Sequence, residues 1–340
     1  MELQEIKTAL AEIARPFADR RVNLFEVEPV SLEGGRLTLR GRVLEDANRQ
    51  ALSSQLVARF PGLQVDVSAV EVARKTPPRL MSVATNLTSL HNGPSFLAEQ
   101  ATQLLNGAVV EVLWQEGNWC FARQMDGYLG WTYVPYLTET PALDPTHLVI
   151  DPVVLLRDAP HNQAALVTRV LGGTAICVED VSGQWALVSL AGGQQGWLPV
   201  ESLRAMEALP QGAGPRRAQL VEDAFRMIGV PYLWGGSSAN GIDCSGLAQL
   251  THRWIGITLP RDADMQFAAG QPVEPPFAPG DLLFFGEGGE DRHITHVTIS
   301  LGGWAVIHSS RRRNGVYTDD VQSVPGLRDT FLCAATYIGR

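Results

Sequence analysis

An internal repeat constrains this 340-residue chain more than any other feature. Gly107, Gly117, Trp119, Gly127, Gly130 and Trp131 recur as Gly173, Gly183, Trp185, Gly193, Gly196 and Trp197, every pair separated by 66 residues. A fixed period of that length marks one unit of supersecondary structure used twice. Between the glycines run short apolar segments, Val109, Val110 and Val112 in the first copy and Ala175 to Val178 in the second. Short strands punctuated by glycine turns predict a small β-barrel for each copy, over 77–142 and 143–208. Two segments, 1–76 and 209–340, remain to be explained.

Residues 1–76 read as a small α/β unit. Leu3, Ile6, Leu10 and Ile13 form a helical stripe, and Leu37, Leu39, Gly41 and Val43 alternate as a strand. A helix near Ala51 to Phe60 and a strand from Val65 follow, before the breaker Lys75-Thr76-Pro77-Pro78-Arg79. The segment holds no candidate chemistry, so its expected role is contact with a partner or oligomerisation.

Charge and hydropathy narrow the partners. Lys plus Arg is 27 and Asp plus Glu is 36, giving 27 − 36 = −9, which argues against nucleic acid or an anionic membrane. No window approaches ~18 consecutive apolar residues, so no membrane-spanning helix is expected. Met1-Glu2-Leu3-Gln4-Glu5-Ile6-Lys7 reads as a charged amphipathic helix rather than a secretory segment. A cytoplasmic protein is therefore expected, or an exported one if the natural chain begins further upstream. Cys120, Cys177 and Cys333 sit in apolar, strand-like contexts and are expected as buried thiols without a disulfide framework.

Cys244 stands apart from them. Asp243-Cys244-Ser245-Gly246 follows a loop containing Gly235, Gly236, Ser237, Ser238, Asn240 and Gly241. It opens a helix whose Leu247, Leu250 and Trp254 fall on one stripe. Asp243 is a natural N-cap, and Cys244 takes the first turn, where free N–H groups and the helix dipole favour a thiolate. The thiolate is the nucleophilic form, so this position suits attack on a carbonyl.

A nucleophilic thiol requires an imidazole, and the imidazole an orienting partner. After the turn Pro279-Gly280 comes an apolar strand, Leu282 to Phe285. His296 then begins the alternation Val297, Ile299, Leu301, and Gly302-Gly303 turns into Trp304 to His308. That pattern predicts a β-hairpin with His296 and His308 at its open end, one as base and one as orienter. Zinc held by His293, His296, His308 and Cys244 is the rival chemistry. No HExxH run or paired CxxC supports it, and His293 reads as a loop residue. Neither metal nor cofactor is called for.

Six motifs occur in one order: Tyr232-Leu233-Trp234-Gly235-Gly236, Asp243-Cys244-Ser245-Gly246, Leu259-Pro260-Arg261-Asp262 with Gln266, Pro279-Gly280-Asp281-Leu282, His296-Val297 and Ile307-His308. Together, over about residues 215 to 340, they resemble the NlpC-type family of papain-like bacterial cell-wall cysteine peptidases. The repeats resemble the bacterial SH3-like domains that accompany cell-wall hydrolases, and 1–76 has a looser resemblance to the BON domain. The resemblance implies a multidomain α+β chain: a BON-like α/β unit, two SH3-like barrels, and a papain-like domain over 209–340. It implies Cys244 as nucleophile, His296 as base and His308 as third polar member. It also implies cleavage of amide bonds in peptidoglycan stem peptides, commonly between γ-linked D-glutamate and a diamino acid.

The same resemblance supplies a substrate-binding set. Tyr232 is a candidate oxyanion donor beside the N–H of Cys244, and Trp234, Asp243 and Ser245 would line the cleft. Asp262 matches the acid that meets the substrate's α-amine, with a helix N-cap as its other reading. Tyr128 and Glu99 of the first repeat align with Gln194 and Ala165 of the second. That asymmetry suits residues serving the site, since folding residues should appear in both copies. Helix-like surroundings over Phe96 to Leu105 leave Glu99 equally readable as a surface carboxylate. Arg311 to Arg313 read as solvated charge, with one of them a candidate for a substrate carboxylate. The implied substrate is a stem peptide with a free L-alanine amino terminus, as in murein peptide recycling. The alternatives are a hydrolase or amidase acting on intact peptidoglycan, and a non-catalytic wall-binding protein.

Overall fold

Helix α1 (Leu3–Ala14) buries Ile6, Ala9, Leu10 and Ile13 against a three-stranded sheet, leaving Leu3 of the expected stripe exposed. The computed structural model describes residues 2–289 and 293–339. The sheet's strands are Phe25–Glu33, Arg36–Val43 and Gln64–Val72, the first pair antiparallel and the second parallel. Helix α2 (Asp46–Arg59) crosses between the parallel strands and buries Leu52 and Leu56. Leu37, Leu39 and Val43 face that core as the alternation predicts. The strand Phe25–Glu33 is an element the hydrophobic pattern does not announce. Proline inside a strand removes a ladder donor, and here the register slips between Pro29 and Ser31 to accommodate it. At Gly41 an added Cβ would lie 1.8 Å from the carbonyl oxygen of Glu26, so only glycine allows the strands to close there.

The chain divides into two compact units, one of residues 1–80, 93–95 and 109–134, the other of 81–92, 96–108 and 135–340. Strands of the first repeat fall in both. In the first unit, Val109–Glu116, Trp119–Gln124 and Leu129–Tyr133 form an antiparallel meander. Trp114, Phe121 and Trp131 cluster on it, and Arg42 of the N-terminal sheet stacks on Trp114 at 4.7 Å. Arg74 bonds Glu111 at 3.0 Å and Glu45 at 2.7 Å, joining the N-terminal sheet to the meander within this unit.

In the second unit, Leu87–His91 pairs with Gln100–Leu105. Glu99 therefore leads into a strand, which corrects the helix-like reading of that stretch. The second repeat forms a complete seven-stranded antiparallel sheet between His147 and Ala205 around Val149, Leu156, Val170, Val188 and Leu198. The matched turns agree across the 66-residue period. Gly107 and Gly173, Gly117 and Gly183, and Gly127 and Gly193 all adopt positive φ, between 58° and 97°.

The C-terminal part places helix α3 (Ala213–Phe225), helix α4 (Cys244–Arg253) and helix α5 (Ala263–Ala269) with a six-stranded antiparallel sheet. Its strand order is Gln271–Pro272, Phe331–Thr336, Leu282–Glu287, His293–Gly302, Ala305–Ser310, Gly315–Asp320. A short helix α6 (Pro325–Arg328) precedes the strand Phe331–Thr336. Leu247, Leu250 and Trp254 form the buried stripe of α4, against Leu282, Phe284, Val297, Ile299 and Ile307 of the sheet.

Hydrogen bonds tie both repeats to this part within the second unit. Gln103 accepts from the backbone of Ser237 at 3.0 Å and the hydroxyl of Ser238 at 2.9 Å. Arg204 bonds the buried Asp223 of α3 at 2.6 Å, and the Trp254 indole donates to Val149 O at 2.8 Å. All four cysteines are free thiols; Cys120 is buried, and Cys177 and Cys333 are partly so. Among the described residues no helix is long and apolar enough to cross a membrane.

Candidate active site

The N-terminus of α4 rests on a buried polar scaffold. Asp243 is its N-cap in extended conformation, accepting from Gly246 N at 2.7 Å and from Gly235 N at 2.9 Å. Arg261, 2% exposed, closes on the same carboxylate with contacts of 2.6 and 3.1 Å. It also donates to the Ser245 hydroxyl at 2.8 Å and to Thr102 of the first repeat at 2.7 Å. Asp243 and Ser245 were expected from sequence to line the cleft. Their side chains are buried and committed to each other and to Arg261. The close packing explains the residue after Ser245: a Cβ on Gly246 would come within 2.2 Å of the Gly236 carbonyl oxygen.

Cys244 stands at the first position of α4, where helix geometry gives its N–H no intrahelical acceptor. It is partly exposed, and its sulfur faces the backbone N–H groups of Val297 and Ser245. Burial, and then the Asp243 charge, push the thiol up to about 12 against the pull of those N–H groups. That differs from the expectation of a thiolate favoured by the helix terminus, because burial first, and the capping carboxylate after it, opposes the charged form. Burial likewise pushes His296 down to about 3.

The hairpin forms as the alternation predicts, from His293–Gly302 and Ala305–Ser310 with Ile299 opposite Ile307. His293 is not in a loop but is the first residue of its strand, paired with Glu287. His296 Nε2 lies 2.7 Å from His308 Nδ1. His308 Nε2 lies 3.0 Å from Asp319 Oδ2, and Arg313 donates to the other oxygen of Asp319 at 2.8 Å. Burial lowers His308, and the Asp319 carboxylate partly offsets this. Asp319 escapes a reading of sequence alone. Its only signal is that a third strand after His308 places an acid within pairing distance, and that becomes visible once Ile307 is paired with Thr318.

Tyr232 lies near Cys244 and Asp243, its phenol pushed up to about 12 by burial and then by these two groups, which keeps it a hydroxyl donor. Trp234 is 50% exposed. The Arg311 guanidinium sits over both rings, 5.7 Å from the centre of Tyr232 and 5.2 Å from that of Trp234. Asp262 occupies the N-cap position of α5, yet its carboxylate makes no capping bond. Glu99 is exposed, bonded by Asn92 at 3.3 Å, and precedes Gln100, whose amide donates to Trp234 O at 3.0 Å. Tyr128 belongs to the first unit, in the turn between Trp119–Gln124 and Leu129–Tyr133. It is 5% exposed rather than the open loop residue expected.

A thiol at a helix start, an imidazole line ending on a carboxylate, and a protonated phenol form the machinery of a cysteine peptidase. Residues 229–334 match the NlpC/P60 family model. The C-terminal domain belongs to the NlpC/P60 family of cysteine peptidases. Residues 90–132 and 156–203 match the bacterial dipeptidyl-peptidase SH3 domain, one match in each repeat. The chain is 28% identical over 255 residues to a γ-D-glutamyl-L-lysine dipeptidyl-peptidase of Bacillus cereus, covering 70% of this chain and 75% of that one. It is 26% identical over 276 residues to dipeptidyl-peptidase 6 of Lysinibacillus sphaericus, covering 76% and 97%. In fold it is similar to an NlpC/P60 family protein from Bacillus cereus, with a TM-score of 0.68 at 22% identity over 76% of this chain and 100% of that one. An SH3-like β-rich region thus lies ahead of an NlpC/P60 domain in this chain.

Proposed function

We propose that the protein hydrolyses the γ-D-glutamyl–diamino acid bond of peptidoglycan stem peptides whose N-terminal L-alanine is free. The observation that carries this reading is the placement of Cys244 at the start of α4 against the strand that holds His296. The Cys244 thiol gives its proton to His296 as sulfur bonds to the γ-carbonyl carbon. The N–H of Cys244 and the Tyr232 hydroxyl stabilise the oxyanion. The C–N bond then breaks, the imidazolium protonates the departing amine, and a thioester remains. Water, deprotonated by His296, releases the acid and restores the thiol.

Substrate choice rests on two supports. Asp262 holds a carboxylate at the start of α5, an acid whose charge suits an ammonium group. The names of the two relatives, both dipeptidyl-peptidases and one of γ-D-glutamyl-L-lysine, point the same way. In intact peptidoglycan the L-alanine nitrogen is acylated, so a requirement for a free amine restricts the enzyme to fragments already cut from the glycan. Such a restriction supports a role in recycling rather than in wall remodelling.

The test compares a free L-Ala-γ-D-Glu-diamino acid tripeptide, its N-acetyl form and whole sacculi. Turnover of the first, with a loss worth several kcal/mol for the second, is expected because an ammonium–carboxylate pair is costly to break once desolvated. Equal rates on both peptides, or efficient digestion of sacculi, would move the enzyme to intact wall. Retained turnover in Cys244→Ala would remove the thiol mechanism.

A further inference from the structure

The line of hydrogen bonds does not end at His308. His296 Nε2, His308 Nδ1, His308 Nε2 and Asp319 Oδ2 follow one another at 2.7 and 3.0 Å, and Arg313 holds the far oxygen of Asp319 at 2.8 Å. Arg313 is itself fixed, over the Tyr317 ring at 4.5 Å and bonded to Thr318 O at 3.3 Å.

We infer that Asp319, clamped by Arg313, is a positioning residue that sets the tautomer of both histidines and so makes His296 a base. The inference rests on the reading of Cys244 and His296 as nucleophile and base. An ionised carboxylate only accepts hydrogen bonds, so His308 carries its proton on Nε2. Neutral His308 then offers a lone pair at Nδ1, and His296 must donate from Nε2. The remaining nitrogen of His296, Nδ1, is left as a lone pair for the thiol proton. Each assignment follows from the partner before it, and the first is made by Asp319. Burial keeps both rings neutral at rest, so each has one proton to place.

Arg313 makes the inference testable in an unusual way. In Asp319→Asn the amide must keep its oxygen toward the Arg313 donor, which turns the NH₂ group toward His308. His308 would then accept at Nε2 and donate from Nδ1. His296 would accept at Nε2 and present N–H, not a lone pair, to Cys244. The expected result is a fall in kcat of roughly 10³–10⁴-fold with KM little changed, the scale of a carboxylate-to-amide tautomer reversal in a serine protease triad. In Arg313→Met/Asp319→Asn the amide is free to turn its oxygen to His308. That double variant should recover at least about tenfold in kcat over Asp319→Asn, although it has lost one more native contact. A merely structural role for Asp319 predicts the opposite, a double variant weaker than either single one.

The full chain is assayed with the tripeptide, and the imidazole nitrogens are assigned by ¹⁵N NMR in the wild type and both variants. Reversal of the protonated nitrogen in both histidines of Asp319→Asn, with return in the double variant, supports the inference. Kcat of Asp319→Asn within about threefold of wild type, or unchanged tautomers, overturns it while leaving the thiol mechanism standing, provided Cys244→Ala is inactive. Activity in Cys244→Ala would instead overturn the reading beneath it.

Discussion

Replacing Arg261 by methionine should destabilise the second unit far more than removing a surface arginine would. The side chain is 2% exposed and donates to both carboxylate oxygens of Asp243, to Ser245 and to Thr102. Methionine fills the volume but leaves the Asp243 charge buried with only backbone N–H donors and the Ser245 hydroxyl. Breaking a buried ion pair from one side costs about 3–5 kcal/mol, because the surviving charge has no counterion. At about 2–4 °C per kcal/mol for a unit of this size, the melting temperature should fall by roughly 6–20 °C. Urea unfolding of wild type, Arg261→Met, Asp243→Asn and the double variant measures it directly. The double variant should be more stable than the sum of the singles implies, since the second change removes the stranded charge. A loss below about 1 kcal/mol for Arg261→Met, or strict additivity in the cycle, would refute the reasoning.

Two further outcomes follow from the structure. Buried His252 donates to Ala248 O and is held down to about 4 by burial, so between pH 6.5 and 4 the unfolded chain binds a proton that the native one does not. Its contribution is complete above the unfolded pKa and is lost as pH falls through that window, by up to about 3 kcal/mol. His252→Phe should flatten the pH dependence of the urea midpoint there by about one proton. Arg311 is stacked on Tyr232 and Trp234, and we propose it as the partner of the α-carboxylate in the proposed γ-D-glutamyl substrate. Arg311→Ala should raise KM for the tripeptide about tenfold or more, the worth of a charge-assisted hydrogen bond. An isoglutamine analogue with that carboxylate amidated should lose nothing; equal losses on both substrates would assign Arg311 to folding.

What could be read from sequence was what chemistry makes local. Cys244 announced itself through its own cap and helix, and the two histidines through one hairpin. The repeat displayed its turns as glycines with positive φ. Long-range pairing was not legible in the same way. Asp319 sits in Tyr317-Thr318-Asp319-Asp320, which reads as an ordinary strand end until its strand is paired with Ala305–Ser310. Arg261 looked like a neighbour of Asp262, and nothing local revealed that its guanidinium is buried on Asp243. The burial of Asp243 and Ser245 was hidden for the matching reason, since a polar residue beside a nucleophile suggests a cleft, whereas these side chains pack on Arg261. The strand Phe25–Glu33 was hidden by Pro29, and the region after Phe96 looked helical because strand pairing with Leu87–His91 is invisible in a window of ten residues.

The contacts made by Gln103, Thr102, Arg204 and Val149 bear on how this chain could have been assembled. Cut at residue 209, the C-terminal segment would keep its nucleophile and both histidines. It would also expose the amide of Ser237, the hydroxyl of Ser238, the Arg261 Nε donor, the Trp254 indole and the Asp223 carboxylate, each of which is satisfied from upstream. Several of these groups belong to the loop and cap that aim Cys244. The peptidase segment is therefore a poor candidate for transplantation as a free cassette. An active segment cut from this chain would have to carry Gln100–Leu105 and the second repeat along with it, because the groups they satisfy lie beneath the nucleophile's own loop and cap.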